Sequence, residues 1–486
     1  MQILNKEMTK KQSRPVKVLQ FGEGNFLRAF VDYMLDIANE KGKFDGDIVL
    51  VKPIEFGNLD RFKVQDCQYT VSLRGIADGK ETVINRIVTS VADAVGAAED
   101  YQKYVEYGLL DTLRFVVSNT TEAGIVYDET DRYELEPPKT YPGKLTKLLH
   151  LRYKKYAGAL DKGLIILPVE LIDDNGIHLK ECVLKLAKLW NLGDGFTAWV
   201  QEACVFCSTL VDRIVTGYPR DEAAEMCSSF GYEDNLIVTA EPFGLWVIES
   251  DKEIQNELPL DQAGLPVIYT DNQKPYKQRK VRILNGAHTS FVLASFLCGN
   301  DYVKESMEDD LIRKFMEDTI YKEVIPTLTL PKEDLMAFAG AVIDRFNNPY
   351  IKHALLSISL NSVSKWRARC MPSFLGYIKE MGSLPTNLTF SLAALMAFYK
   401  RGEELRDGAL IGKRDGEEYK IMDDAAVLEF FLKNRTKSNM ELAKAFMSSE
   451  EFFGQDLTQE LDACAVVAGY LDEMDQSGMR KAMENL

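Results

Sequence analysis

Apolar residues follow two rhythms along this chain. In the first half, short runs rich in strand formers alternate with helix-spaced patterns. Val16-Lys17-Val18-Leu19-Gln20-Phe21 is the first run, and Phe26, Leu27, Ala29, Phe30, Val31, Met34, Leu35 and Ile37 then recur at helical spacing. Later runs are Asp47-Ile48-Val49-Leu50-Val51-Lys52-Pro53, Leu113-Arg114-Phe115-Val116-Val117-Ser118 and Leu164-Ile165-Ile166-Leu167-Pro168-Val169. Strands alternating with helices predict an α/β domain with a largely parallel sheet. From about Pro275 strand-like runs become rare. Amphipathic patterns over 281–297, 309–321, 331–346, 388–401, 423–434 and 461–484 predict a mainly α-helical second domain. Asp271-Asn272-Gln273-Lys274-Pro275 is the join, which divides the chain into 1–272 and 273–486. The polar, Gly-rich stretch 402–418 is expected to be a loop, and no internal repeat is evident.

The first run leads straight into Gly22-Glu23-Gly24-Asn25 and then into the helical pattern. Strand, glycine turn and helix open a dinucleotide-binding βαβ unit of Rossmann type. The glycines let the backbone approach a pyrophosphate, and a helix N-terminus favours its charge. The third glycine position of the fingerprint is Leu27, so an ordinary strand–turn–helix remains the plain alternative. An acid often ends the second strand and binds the ribose. Here Lys52 and Pro53 stand there and Glu55 is the first acid, so the residues leave the choice of dinucleotide open. Asn119-Thr120-Thr121-Glu122-Ala123-Gly124 is a polar turn where the crevice of a parallel sheet would lie.

Composition narrows the function classes. At 486 residues, with 46% hydrophobic and 27% charged positions, the chain suits two globular domains. A net charge of −16 argues against nucleic acid as a partner. No apolar stretch reaches the length of a membrane span, and the N-terminus lacks a secretory apolar core, so a cytoplasmic protein is expected. The eight cysteines are scattered as in a reduced protein. Cys204 and Cys207 form a lone C-x-x-C among apolar neighbours, and the four histidines make no zinc pattern, so no metal is expected.

Lys280-Val281-Arg282-Ile283-Leu284-Asn285-Gly286-Ala287-His288 carries the candidate chemistry. On an α-helix at ~100° per residue, positions i, i+5 and i+8 fall within an arc of ~140°. Lys280 can act as a base, Asn285 can hold an oxyanion and His288 can orient a reacting hydroxyl. That set suits proton removal from an alcohol as hydride leaves. The plain alternative is a surface lysine, a capping asparagine and a satisfied histidine. Lys274, Lys277, Arg279, Lys280 and Arg282 also crowd together, and form either an anion site or a solvated patch.

Longer blocks add a resemblance. Gln20-Phe21-Gly22-Glu23-Gly24-Asn25-Phe26-Leu27-Arg28-Ala29, Thr121-Glu122-Ala123-Gly124, Val211-Asp212-Arg213-Ile214, Glu241-Pro242-Phe243 and the Lys280/Asn285/His288 set are similar to blocks of the mannitol dehydrogenase family, the polyol-specific long-chain dehydrogenases. Within that family the closer likeness is to reductases of keto-sugar acids. The resemblance covers nearly the full length. It implies a zinc-independent oxidoreductase using NAD, with Lys280 as general base, Asn285 as oxyanion donor and His288 as hydroxyl-orienting group. It implies cofactor contacts along Val18, Leu19, Gln20, Phe21, Gly22, Glu23, Gly24, Asn25, Phe26, Leu27, Arg28 and Ala29, and at Thr121 and Glu122. Lys365 matches a substrate-binding lysine, and Asp212 and Arg213 are substrate candidates that equally suit a structural ion pair.

Two departures touch the substrate. A second oxyanion asparagine is replaced by Leu171, leaving Asn175 as a substitute or Asn285 alone, and a substrate arginine is replaced by Ser357. A small sugar acid is therefore the expected ligand, with no nucleic acid and no membrane, and the oligomeric state stays open. Reduction of fructuronate to mannonate, oxidation of a neutral polyol and a catalytically inactive cofactor-binding regulator are the rival readings.

Overall fold

The computed structural model describes residues 1–121 and 123–486. The chain folds into two compact units, one of residues 1–74 and 81–273, the other of residues 75–80 and 274–486. The main division falls inside the expected join. The segment 75–80, however, is grouped with the second unit. It lies at the turn between strands Tyr69–Ala77 and Lys80–Val88, and Gly79 N donates to Asp344 Oδ2 at 3.2 Å. A local hydrophobic pattern carries no trace of such a contact.

The first unit is built on a six-stranded parallel sheet. Its strands are β1 Val16–Phe21, β2 Asp47–Lys52, β3 Val91–Gly96, β4 Phe115–Ser118, β5 Ile165–Pro168 and β6 Val205–Phe206. The spatial order is β3-β2-β1-β4-β5-β6, with all neighbours parallel. This is the doubly wound order in which the succession of strands across the sheet reverses between β1 and β4, and a crevice opens at the carboxyl ends of those two strands. The runs lack hydrophobic alternation because both sheet faces are covered. Val18 joins one core with Phe30, Met34 and Trp246, whereas Leu19 and Phe21 join another with Val116, Leu145 and Leu148. Smaller sheets flank this one, including an antiparallel pairing of Ser208–Asp212 with Leu245–Glu249.

The second unit is mainly helical. The helices Gly286–Leu297 and Thr386–Lys400 are buried on nearly every side and form its centre, as helices that are apolar all round must be. Further helices run over Lys332–Phe346, Ala425–Asn434 and Ala463–Ser477, the last broken from Met479–Glu484 at Gly478 with φ +85°. The expected loop at 402–418 is instead a three-stranded antiparallel sheet of Glu404–Arg406, Ala409–Arg414 and Glu417–Ile421. Asp407-Gly408 and Asp415-Gly416 take positive φ, as tight hairpins require, and Leu410, Tyr419 and Ile421 bury one face. Two Asp-Gly hairpin signals lay beneath the polar composition. Among the described residues no helix is long and apolar enough to cross a membrane.

Candidate active site

The glycine turn is held from several sides. Gly22 has φ +121°, and a side chain there would press on Leu27 Cδ1 at 3.1 Å and the Asn119 carbonyl at 3.3 Å. Leu27 therefore fills the place where a third glycine would bring helix and strand together. Gly22 N donates to Val51 O at 2.9 Å and Gln20 Nε2 to Gly22 O at 3.2 Å. Arg28 braces the turn, donating to Glu23 O at 3.1 Å, to Asn25 Oδ1 at 2.7 Å and to Leu236 O at 2.5 Å. On the far side, the buried Glu170 carboxylate accepts from Ser118 Oγ, Thr120 N and Thr120 Oγ1 at 3.0–3.1 Å, and Asn119 Nδ2 donates to Val169 O at 3.1 Å. Between these walls lies a cleft of about 360 Å³, lined by Gly22, Glu23, Gly24, Pro53, Asn119 and Thr121 among others. A Cβ on Gly24 would meet nothing within 4 Å. Bare backbone at the head of a helix, at the switch point of the sheet, fits a dinucleotide pyrophosphate.

The other expected cofactor contacts divide. Gly22, Glu23, Gly24 and Thr121 line the cleft. The side chains of Val18, Leu19, Phe21, Leu27 and Ala29 are buried in the two cores, so they support the turn from behind. Asn25 is taken up by Arg28, and Phe26 stacks on Phe30 with ring centroids 5.0 Å apart. Glu122 lies outside the described residues.

In the second unit the candidate nine residues do not form one α-helix. Lys274–Arg279 is α-helical, Lys280–Asn285 is a π-helical turn and Gly286–Leu297 resumes the α-helix. Gly286 N donates to Val281 O across the wide turn. Hydrogen bonding from i to i+5 sets residue i+5 almost above residue i. Lys280 and Asn285 are thereby brought onto one side, closer than the ~140° that an α-helix gives. Asn285 and His288 then stand one α-turn apart on the same face. A Cβ on Gly286 would come within 3.2 Å of the Arg369 carbonyl, so glycine there admits the end of the helix Ser362–Arg369.

His288 is half-buried and sits among rings and cations. It stacks on Phe346 at 4.2 Å between centroids and meets His353 edge-on at 5.4 Å. Its Nε2 is enclosed and has no hydrogen-bond partner. Burial, and then the charges of His353, Arg345, Arg369 and Lys365, hold its pKa well below the ordinary histidine range. The ring is therefore neutral near pH 7. Lys365 donates to Ile358 O at 2.9 Å, and its pKa is lowered by burial and by Arg369.

Two arginines of the basic stretch are taken up by the fold. Arg279 is buried with its guanidinium 4.5 Å from the Phe338 ring centroid. Arg282 donates to Ser373 Oγ at 2.8 Å, to Thr327 Oγ1 and to Pro372 O, and burial pushes its pKa down to about 10. The cations that do gather are Arg345, Lys365 and Arg369, which come from two other helices. The sequence reading missed Arg345, His353 and Phe346 because no local spacing links them to His288.

Comparison with known proteins places this geometry. Residues 16–262 match the mannitol dehydrogenase Rossmann domain, and residues 272–475 match the mannitol dehydrogenase C-terminal domain. The chain belongs to the mannitol dehydrogenase family. It is similar to the altronate oxidoreductase of Yersinia enterocolitica, 44% identical over 490 residues and 99% of each chain. It is as similar to that of Escherichia coli O1:K1, 44% identical over 493 residues and 100% of each chain. Among solved structures, a substrate-free D-sorbitol dehydrogenase matches with a TM-score of 0.80 at 22% identity over 99% of this chain and 100% of that one. Pseudomonas fluorescens mannitol 2-dehydrogenase, solved with NAD and D-mannitol, matches with a TM-score of 0.66 at 22% identity over 100% of this chain and 99% of that one. At that identity the two structures speak for the fold.

In this member of the mannitol dehydrogenase family, two of the substrate candidates of the first unit, Asn175 and Arg213, are engaged by the fold. Asn175 is fully buried. Its Nδ2 donates to Pro168 O, Glu170 O and Thr209 O at 3.0–3.2 Å, and its Oδ1 accepts from Gly176 N and Thr209 N at 2.9 Å. An amide saturated in this way has no donor left for an oxyanion. Arg213 donates to Phe243 O at 2.8 Å, Ala29 O at 2.6 Å and Pro242 O at 3.3 Å, and its guanidinium lies over Tyr33 and Phe30. It clamps main-chain carbonyls; it is not ion-paired with Asp212, which is itself buried on the strand Ser208–Asp212. Leu171 is 65% exposed. Ser357 is exposed and donates to Ala354 O at 2.7 Å. Cys204 and Cys207 are buried, and burial raises their thiol pKa values to about 11 and about 12, as befits small core residues.

Proposed function

We propose that the protein interconverts D-tagaturonate and D-altronate with NADH and NAD. The observation that carries this reading is 44% identity to altronate oxidoreductases from one end of the chain to the other. The nicotinamide, when bound, supplies the hydride to the ketone carbon or takes it back from the alcohol. The protein's own groups manage the oxygen. Lys280 as an ammonium protonates the new alkoxide, and as a free amine takes the hydroxyl proton in the reverse direction. Asn285 donates to that oxygen as charge develops on it. His288, neutral and with Nε2 unpartnered, is left to bond a sugar hydroxyl.

The preference for NADH over NADPH belongs to the same proposal. Lys52, at the end of β2, looks suited to a 2′-phosphate. Its Nζ, however, donates to Ile54 O at 2.8 Å and Phe56 O at 3.4 Å and is paired with Glu99, while the residue is only 1% exposed. A charge neutralised and enclosed in this way supports the loop and does not recruit phosphate. Equilibrium binding should give a Kd for NADPH at least about tenfold above that for NADH, a gap of about 1.4 kcal/mol. A cytoplasmic setting, supported by eight cysteines that all stay unpaired, completes the reading.

The deciding experiment offers NAD with D-altronate, D-mannonate or D-mannitol and follows NADH and product. D-Altronate should react best and yield D-tagaturonate. Comparable oxidation of D-mannitol would return the protein to the polyol dehydrogenases, and preference for D-mannonate would make it a fructuronate reductase.

A further inference from the structure

The sugar-acid reading leaves open what holds the carboxylate, and the second unit contains a pair of cations with unfilled donors. Lys365 and Arg369 lie four residues apart on the helix Ser362–Arg369, so they share one face. Both are half-buried. The Lys365 ammonium makes one hydrogen bond, to Ile358 O at 2.9 Å. The Arg369 guanidinium makes one long contact, to Thr289 Oγ1 at 3.4 Å, on the residue that follows His288. An ammonium carries three donors and a guanidinium five. Among the described residues no carboxylate lies within ion-pair distance of either cation. Asp423, which acts on Lys365 from further off, is engaged by Tyr399 and by Val363 N at 3.2 Å. In a chain of net charge −16, two unneutralised cations beside an enclosed, unpartnered imidazole nitrogen call for an anion.

We propose that Arg369, seconded by Lys365, holds the carboxylate of the sugar acid. The guanidinium fork matches two carboxylate oxygens, and Lys365 contributes a point charge. Ketone and carboxylate stand at opposite ends of a hexulosonate. The clamp therefore acts far from the reacting carbon, and its contribution is uniform binding, which is read in KM. The inference rests on the sugar-acid reading and goes beyond it by naming the group that makes the choice.

The test uses full-length enzyme with saturating NADH, and compares D-tagaturonate with D-tagatose, the same ketose with a hydroxymethyl in place of the carboxylate. Arg369→Met should raise KM for tagaturonate about tenfold to a hundredfold, the worth of a charge-assisted hydrogen bond. The loss should fall chiefly on tagaturonate, so the tagaturonate-to-tagatose ratio of kcat/KM should drop by about the same factor. Arg369→Lys keeps the charge and loses the fork, so it should lose part of the discrimination, and it serves if the methionine variant folds poorly. An unchanged tagaturonate-to-tagatose ratio in both variants overturns the role of Arg369 and leaves the sugar-acid reading standing. A wild-type enzyme that does not prefer tagaturonate overturns both.

Discussion

The candidate polar side chains of the two units are treated in opposite ways. In the first, three buried candidates are saturated by the fold: Asn175 serves three carbonyls and two amides, Arg213 three carbonyls, and Arg28 two carbonyls and an amide oxygen. In the second, His288 Nε2 has no partner, and Lys365 and Arg369 each make a single hydrogen bond. Burying a polar group without a partner costs free energy. A saturated group is therefore explained by stability alone, whereas an unfilled one beside a candidate site is open to a ligand. Under the proposed function the first unit offers bare backbone to a dinucleotide, and the second would keep its unfilled side chains for the sugar.

The sharpest way to break this contrast is at Lys280. Lys280→Ala should lower kcat by about 10²–10⁴-fold, the range for a positioned acid or base, with NADH affinity nearly unchanged by equilibrium titration. Turnover retained in the purified variant would remove the base from the account. Asn285→Ala should follow at about 2.7–4 kcal/mol in the chemical step, the cost of one oxyanion donor, seen in single-turnover kinetics at saturating cofactor. A much smaller loss would mean that the oxyanion has a second donor which the account has not identified.

Asn175→Ala sharpens the contrast from the other side. It leaves Thr209 N and several carbonyls buried without partners, so it should destabilise the first unit by about 1–3 kcal/mol in denaturant unfolding. The folded fraction should keep its KM for the sugar. A raised KM with unchanged stability would restore Asn175 as a substrate residue.

Part of this was legible in the sequence and part was not. The strand runs and the glycine turn mark the parallel sheet, because a strand buried on both faces must read as a continuous apolar run. Lys280, Asn285 and His288 are found by spacing, although the spacing assumed an α-helix where a π-turn narrows the arc. The Asp-Gly hairpins at 407–408 and 415–416 were readable and were obscured by the polar composition. Arg345 and His353 gather at His288 only through tertiary packing, which no local pattern encodes. Asn175 and Arg213 misled for the same reason: a residue type announces hydrogen-bonding capacity, and only the fold shows where that capacity goes.

The smallest expected effect concerns Asp32, one group of the first unit that is not saturated. Tyr69 OH donates to its Oδ2 at 2.6 Å, but Oδ1 has no partner, and burial pushes its pKa up to about 7. An unfolded aspartate titrates near ~3.9, so the folded state binds the extra proton. The stability this gives is present below about pH 4 and is lost as pH rises through about 7. Asp32→Asn does not titrate. Its melting temperature should gain on the wild type between those limits, by a few degrees at most, and hold the gain above them. A gap that does not change with pH would show that Asp32 stays ionised.

The central claim is that His288 is a neutral, unpartnered ring waiting for a sugar acid. With four histidines in the chain, histidine-selective ¹³C labelling gives a spectrum simple enough to assign by the loss of one signal in His288→Asn. In the NAD-bound enzyme the His288 signal should show no titration midpoint near ~6.5, and should move when D-altronate is added but not when D-mannitol is. A titration midpoint near the ordinary histidine value of ~6.5, or a signal indifferent to D-altronate, would contradict the account.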